Sequence, residues 1–135
     1  MTKYKILCVD DDKTVLDTLQ LHLNEVSNSE LSIETAQNAV EALEVYEELL
    51  EDNNNILLII SDFSMPIYNS DYLFEALIKK GYKGKKIILT GHMNHKVLKK
   101  ELSHLKIDKY FDKPWNKKDL IDFINEIKKE FEISV

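Results

Sequence analysis

The stretch ILLIISDFSMP, residues 56–66, decides the fold of this 135-residue chain. Five successive apolar residues, three of them isoleucine, follow the asparagine triplet at 53–55 and end before Asp62. A short β-branched run between turn residues, without alternation, is typical of a strand buried on both faces of a parallel sheet. Open α/β sheets bind their ligands at the carboxyl ends of such strands. Asp62 is therefore a candidate for chemistry, although aspartate is also common in ordinary turns.

Length and composition indicate one globular domain spanning residues 1–135. A chain of 135 residues with 44% hydrophobic and 31% charged residues has enough material for a real core. No secretory signal opens the chain, and its longest aliphatic run is too short to cross a bilayer. The single cysteine, Cys8, lies in an apolar run and is predicted to be a buried thiol. These features predict a reduced, cytoplasmic protein without a membrane partner.

The net charge of −6 is distributed unevenly along the chain. Residues 1–78 contain 3 lysines and 16 acids, whereas residues 79–118 contain 13 lysines and 3 acids. All 18 basic residues are lysine, so the chain lacks the guanidinium groups that suit phosphate and base recognition. Together with the acidic total, this argues against direct binding of nucleic acid.

Five short apolar segments are predicted strands, at Tyr4–Val9, Leu31–Ala36, 56–61, 86–90 and Lys109–Asp112 (β5). Helical spacing predicts intervening helices at residues 13–26, after Asn38, at 72–80, around 97–105 (α4) and across 120–131 (α5). Asp12 and Asn38 are the predicted N-caps of the first two helices. Five strands alternating with five helices favour a doubly wound parallel sheet with helices on both faces, a three-layer α/β sandwich. The second helix is predicted to bury one apolar face, made of Val40, Leu43, Tyr46 and Leu50.

Polar side chains stand at the carboxyl ends of four predicted strands: Asp10 and Asp11 after the first, Asp62 after the third, Thr90 at the end of the fourth and Lys113 after the fifth. Crowded carboxylates repel one another unless a positive charge lies among them. Oxygen ligands without histidine or thiolate favour a hard cation, and Mg²⁺ suits a site that also admits phosphate. An aspartate there can act as a nucleophile on phosphorus. Each residue alone has an ordinary explanation: an aspartate can cap a helix or lie in a turn, a threonine can end a strand, and a lysine can be solvated at the surface. Together at one edge, they favour a site that binds a phosphoryl group.

The segments ILCVDDD, IISDFSMP, ILTG and YFDKPW, in this order, resemble the receiver domain of two-component response regulators. The resemblance covers residues 3–131 and implies the fold of the chemotaxis regulators, with strand order 2-1-3-4-5. It places the family's acidic pair on Asp10 and Asp11, its phosphoacceptor on Asp62, its switch hydroxyl on Thr90 and its lysine on Lys113.

The activity implied by this resemblance is transfer of a phosphoryl group from a histidine kinase or phosphotransfer protein to Asp62. Mg²⁺ would be held by Asp11 and Asp62, with help from Asp10 and the backbone carbonyl of Ser64. The metal would offset negative charge on phosphoryl oxygens, and the Lys113 ammonium would stabilise a further oxygen of the same phosphoryl group. The chain would be a signalling phosphoacceptor that catalyses only its own phosphorylation and dephosphorylation, not a conventional enzyme.

The resemblance also implies a switch. Phosphorylated Asp62 would draw Thr90 inward and let Tyr110 turn, which would change the α4–β5–α5 surface that contacts an output partner or a second copy. Ser64 and His92 occupy the positions that tune the lifetime of the phosphorylated state. The kinase and the output are not indicated, and the chain is either a stand-alone receiver or the N-terminal part of a longer regulator.

Three features near the site concern its loops. The Lys113–Pro114 bond is implied to be cis. The family usually has glycine in the loop after the third strand, where this chain has Asn69 and Ser70; asparagine tolerates positive φ. Residues 105–107 form a bulkier connection than the small residues common in the family. The departures at residues 69–70 and 105–107 affect the surface and the switch more than the residues that carry the chemistry.

Two alternatives belong to other functional classes. Asp10, Asp12, Thr14 and Val15 spell DxDxTV, which resembles the first motif of haloacid-dehalogenase-type phosphatases. Asp10 would then be the nucleophile and Asp12 the acid/base, but no later strand supplies the fourth motif's acids, and Asp62 has no role. The other alternative is a receiver-like module that binds partners without being phosphorylated, against which the complete set of acids, threonine and lysine counts.

Overall fold

The predicted strands form one parallel sheet in the computed structural model, which describes residues 3–91 and 95–133. Their order is β2-β1-β3-β4-β5, so the predicted doubly wound topology is confirmed. The strands are β1 Tyr4–Val9, β2 Leu31–Ala36, β3 Asn55–Asp62, β4 Lys85–Thr90 and β5 Lys109–Asp112.

Helices cover both faces of the sheet and complete the three layers. They are α1 Lys13–Leu23, α2 Ala39–Glu51, α3 Ser70–Lys79, α4 His95–Glu101 and α5 Lys117–Glu130, with a 3₁₀ turn at Ser103–Leu105. Side chains of α2, α3 and α4 share one buried cluster, whereas α1 and α5 pack on the opposite face. In the part of the chain that the structure describes, no helix is long and apolar enough to span a bilayer.

The central strand β3 is buried from residue 56 to its end at Asp62. Ile59 contributes to the α2–α4 side of the core, and Leu58 and Ile60 contribute to the α1–α5 side. Cys8 on β1 is fully buried in the α1–α5 cluster, and burial raises the pKa of its thiol to about 12. Burial on both faces explains why the sequence of β3 is continuously apolar instead of alternating.

Both predicted N-caps are confirmed. The Asp12 side chain accepts a hydrogen bond from the backbone N–H of Thr14 at 2.9 Å. The Asn38 side chain accepts one from the N–H of Glu41 at 2.8 Å. These bonds satisfy backbone donors that the first helical turn leaves without partners.

Four helices differ from their predicted extents, and one of them is the last, predicted across 120–131 and observed at Lys117–Glu130. The first ends at Leu23 instead of residue 26, and beyond its end the carbonyl of Val26 accepts a hydrogen bond from the buried Lys128 ammonium at 2.8 Å. The third begins at Ser70, whose N–H donates to the Phe63 carbonyl. The predicted helix at 97–105 ends at residue 101 and continues as the 3₁₀ turn, whose tighter winding keeps both Leu102 and Leu105 buried.

The predicted apolar face of α2 was wrong in its orientation. The helix buries Ala39, Ala42, Tyr46 and Leu49, so of the four predicted residues only Tyr46 is among its buried residues. Val40 is 50% exposed and Leu50 is 43% exposed. Ala39 and Ala42 therefore lie on the face that packs against the core, and Val40 does not.

Candidate functional site at the carboxyl edge of the sheet

The ends of the strands bring all five predicted side chains to one edge of the sheet. Asp62 ends the central strand, Asp10 and Asp11 follow its neighbour β1, and Thr90 ends β4. The backbone N–H of Lys113 donates to the Thr90 carbonyl at 3.0 Å, which holds the residue after β5 beside β4. We call this edge the rim.

Three carboxylates form the acidic part of the rim. Asp10, Asp11 and Asp62 each offer an oxygen within 4.8 Å of the others. Asp10 is fully buried and Asp62 is 7% exposed, whereas Asp11 is exposed and faces solvent. The Asp10 Oδ1 atom accepts a hydrogen bond from the N–H of Asp12 at 2.9 Å, which orients that carboxylate. An all-oxygen cluster with one open side fits a hard divalent cation such as Mg²⁺.

Lys113 supplies positive charge to this cluster. Its Nζ lies 2.8 Å from Asp10 Oδ2 and 3.2 Å from Asp62 Oδ1. Burial acts to lower the pKa of Lys113, but the hydrogen bond to Asp10 and the charges of Asp62 and Asp10 raise it overall. The pKa of Asp62 is also raised, by burial and by the Asp10 charge, although Lys113 opposes the shift. One lysine therefore leaves part of the negative charge uncompensated, which favours binding of a further cation.

Thr90 and Tyr110 are both buried beside the rim, with 3% and 8% exposure. Tyr110 packs in the α2–α4 side of the core, and its ring centre lies 6.1 Å from that of His95. Nε2 of His95 lies 2.9 Å from Asp112 Oδ1, so the start of α4 contacts the end of β5. This last contact was not predicted, because no spacing pattern links side chains at the ends of two different elements.

The loop after β3 carries Ser64, the predicted carbonyl ligand, which is exposed two residues beyond Asp62. His92, the other predicted lifetime residue, lies outside the described residues. Positive φ does not fall on Asn69, whose φ is −77° and whose side chain accepts a bond from the N–H of Met65. It falls on Ile67, at 71°. Asn69 was a candidate for the positive φ because asparagine tolerates it, but its side chain instead closes the loop through the hydrogen bond from Met65.

The peptide bond between Lys113 and Pro114 is cis, as the resemblance implied. The following residue, Trp115, donates a hydrogen bond from its indole Nε1 to His22 Nδ1 on α1 at 3.1 Å. The indole therefore packs against α1, two residues after the rim lysine. This contact was not predicted, since it joins residues 93 positions apart.

The comparisons with known proteins agree with this geometry. A family model described as the response regulator receiver domain matches residues 6–125. A receiver domain protein from Clostridium thermocellum superposes with a TM-score of 0.78 at 26% identity, covering 96% of this chain and 97% of that one. A CheY-like receiver domain protein from Methanospirillum hungatei JF-1 gives 0.76 at 30% identity, covering 98% of both chains.

Chemotaxis protein CheY4 of Vibrio cholerae shares the fold at 22% identity, with a TM-score of 0.78 and coverage of 93% of this chain and 99% of that one. No curated relative matches the sequence significantly. The chain belongs to the receiver-domain family of response regulators. The phosphatase alternative lacks its fourth motif in the described structure, because the acids after Lys113 include Asp119 and Asp122 inside α5, not at a strand end.

Proposed function

We propose that this protein is a phosphorylatable receiver in which Asp62 accepts a phosphoryl group from a histidine kinase or phosphotransfer protein. The observation that carries the proposal is the position of Asp62 at the end of the central strand, within reach of two further carboxylates and 3.2 Å from Lys113. A carboxylate nucleophile, a place for a cation and a fixed ammonium are the parts that phosphoryl transfer requires.

In the proposed reaction, an Asp62 carboxylate oxygen forms a bond to phosphorus while the bond from phosphorus to the donor's histidine nitrogen breaks. Asp10, Asp11, Asp62 and the Ser64 carbonyl would hold Mg²⁺, which when bound offsets negative charge on the phosphoryl oxygens. Lys113, already held beside Asp62, would contact another phosphoryl oxygen. The protein would thus act as a signalling phosphoacceptor that catalyses only its own phosphorylation and dephosphorylation.

The proposed output runs through α4, β5 and α5. Thr90 would follow the phosphoryl group, and Tyr110 would then shift against the His95 side of α4, which changes this surface. A cavity of about 550 Å³ already lies there, between His95, β5 and the start of α5. The partner would be an output protein or a second receiver, in the cytoplasm, with no direct contact to nucleic acid or membrane. Residues 1–135 would form one receiver domain with its core in residues 3–131.

The test is covalent labelling with a small phosphodonor, acetyl phosphate, in the presence of Mg²⁺. Intact-protein mass spectrometry should show one added phosphoryl group that hydroxylamine removes, and Asp62→Asn should abolish it. Asp12→Asn, a change at the exposed helix cap beside the rim, is the matched control and should still be labelled. If Asp62→Asn is still labelled and Asp10→Asn is not, the phosphatase alternative is supported instead. If the wild type itself is not labelled, the alternative of a binding module that is not phosphorylated is supported.

A further inference from the structure

An apolar groove of about 600 Å³ lies beside the rim, between the start of α2 and the loop after β3. Its walls include Val40, which is 50% exposed, Ile67, which is 91% exposed, and Tyr68, which is 37% exposed. The ring of Tyr68 stacks on that of Tyr72 with centroids 4.0 Å apart, which fixes one wall in place. Adjacent exposed apolar side chains of this kind mark interaction surfaces more often than scattered single ones do.

Ile67 contributes little to the stability of its own domain. Its φ of 71° lies in the left-handed region, which is unfavourable for a β-branched residue. Its side chain is almost fully exposed, so burial of apolar surface within the domain does not offset that cost. Contact with another molecule would bury this side chain, and that burial would explain why an isoleucine stands at this exposed position.

The groove also has a definite charge. Asp11, Glu41 and Glu44 line it, and none of the described residues that line it is basic. A matching occupant must therefore present an apolar side chain flanked by positive charges. Helix α4 of this same chain, HKVLKKE, is such a segment: Val97 is 49% exposed, and Lys96 and Lys100 beside it are exposed.

The groove lies on the α2 side of α3, and α4 lies on the other side of α3 in the same helical layer. Helices α2, α3 and α4 share one buried cluster, and α3 contacts both α2 and the 3₁₀ turn that follows α4. The acidic groove and the basic helix are therefore separated by α3 and cannot meet within one molecule. A second copy displaced sideways across this layer brings its α4 to the groove of the first.

We propose that the groove receives α4 of a second copy of this chain, with Val97 against Val40 and Ile67 and the lysines facing the acids. The contact joins two different surfaces, so it is heterologous and extends into short chains of molecules unless the rotation closes a ring. It depends on charge and weakens with salt, because the Debye length falls from about 8 Å at physiological ionic strength to about 3 Å at 1 M. Since it occupies α4, it excludes a symmetric contact through α4–β5–α5.

Sedimentation velocity of the purified, unphosphorylated protein, up to about 1 mM, detects association of this weak kind. The weight-average sedimentation coefficient of the wild type should rise with concentration at low salt and stay at the monomer value at 1 M salt. Ile67→Gly removes the apolar wall and suits the left-handed backbone, so it should fold and remain monomeric. Leu21→Ser, which removes an exposed apolar side chain from α1 on the opposite face, is the matched control and should associate like the wild type.

A mixing experiment separates this contact from a symmetric one. Ile67→Gly keeps α4 but lacks the groove wall, whereas the double variant Lys96→Glu, Lys100→Glu keeps the groove but lacks the basic helix. Each alone should be monomeric, and the equimolar mixture should form complexes of two chains and no longer species. A wild type that is monomeric throughout, an Ile67→Gly variant that associates like the wild type, or a mixture that stays monomeric would each overturn the proposal.

Discussion

Replacing Lys113 by methionine removes the charge that lies between two buried carboxylates while keeping most of the side chain's shape. The ammonium is 2.8 Å from Asp10 and 3.2 Å from Asp62, whose side chains are 0% and 10% exposed. Methionine leaves these acids facing each other in a poorly solvated place without their counter-ion. We expect the variant to fold less stably than the wild type in metal-free buffer at neutral pH.

The expected magnitude follows from the burial of the pair. Removing one partner of a fully buried ion pair costs about 3–5 kcal/mol. The Lys113 side chain is 23% exposed, so water takes over part of its role, and we expect a loss of about 2–3 kcal/mol in the free energy of unfolding. Lys118→Met, at an exposed lysine paired with Asp122 on α5, is the matched control and should show no measurable change.

The loss should depend on pH in a defined direction. Because the pKa of Asp62 is raised above 3.8 in the folded protein, its protonated form is favoured by folding. The contribution of Asp62 to the free energy of unfolding is fully present below the ordinary aspartate pKa. It is lost as the pH rises through the raised pKa that Asp62 has in the folded protein. Lys113 lowers the pKa of Asp62, so in the methionine variant this loss extends to higher pH. The difference from the wild type should be small near the ordinary aspartate pKa and full at neutral pH.

Urea unfolding with EDTA, followed by circular dichroism at several pH values, measures this difference. A loss below about 1 kcal/mol at neutral pH, where breaking a buried pair should cost more, would refute the electrostatic reasoning. An equal loss at acidic and neutral pH would show that methionine disturbs packing instead of charge.

Three further changes test other parts of the structure. Mg²⁺ should change the fluorescence of Trp115, which lies two residues after Lys113 and hydrogen-bonds His22 on α1. A fluorescence signal that Mg²⁺ does not change, together with no binding by calorimetry, would refute the metal site. Asn38→Ala should lower the free energy of unfolding by about 1 kcal/mol through loss of the α2 cap, as measured in urea. Ser64 and His92 are neither acids nor long amides, so the phosphorylated state should not be especially short-lived; if changing both leaves the decay rate unaltered, they do not tune it.

The sheet and the rim could be predicted from the sequence because local patterns determine them. The continuous apolar run before Asp62 indicates a strand buried on both faces, and Asp12 and Asn38 indicate where helices begin. Once parallel strands alternate with helices, the carboxyl ends of the strands must lie at one edge. The residues that end or follow β1, β3, β4 and β5 therefore came together in the structure without any long-range information.

Other features depend on packing between distant parts of the chain. Beyond the early end of the first helix, the Val26 carbonyl accepts a hydrogen bond from Lys128, which is 102 residues away in the sequence. The face that α2 buries contains Ala39 and Ala42, whereas the apolar spacing of the sequence alone pointed to a different face. In the loop after β3, the residue with a left-handed backbone is Ile67, although a β-branched residue is among the least suited to that conformation.

The placement of β3 at the centre of the sheet has a mechanical consequence. β3 is bonded to strands on both sides, whereas the four residues of β5 are bonded to β4 alone. Edge strands open locally at lower free energy than central ones, so amide hydrogens of β5 should exchange sooner than those of β3. Asp62 thus ends a strand that is paired on both sides, whereas Lys113 follows an edge strand. Fluctuations at the sheet edge can therefore change the distance between the Lys113 ammonium and Asp62 while Asp62 stays with the centre of the sheet.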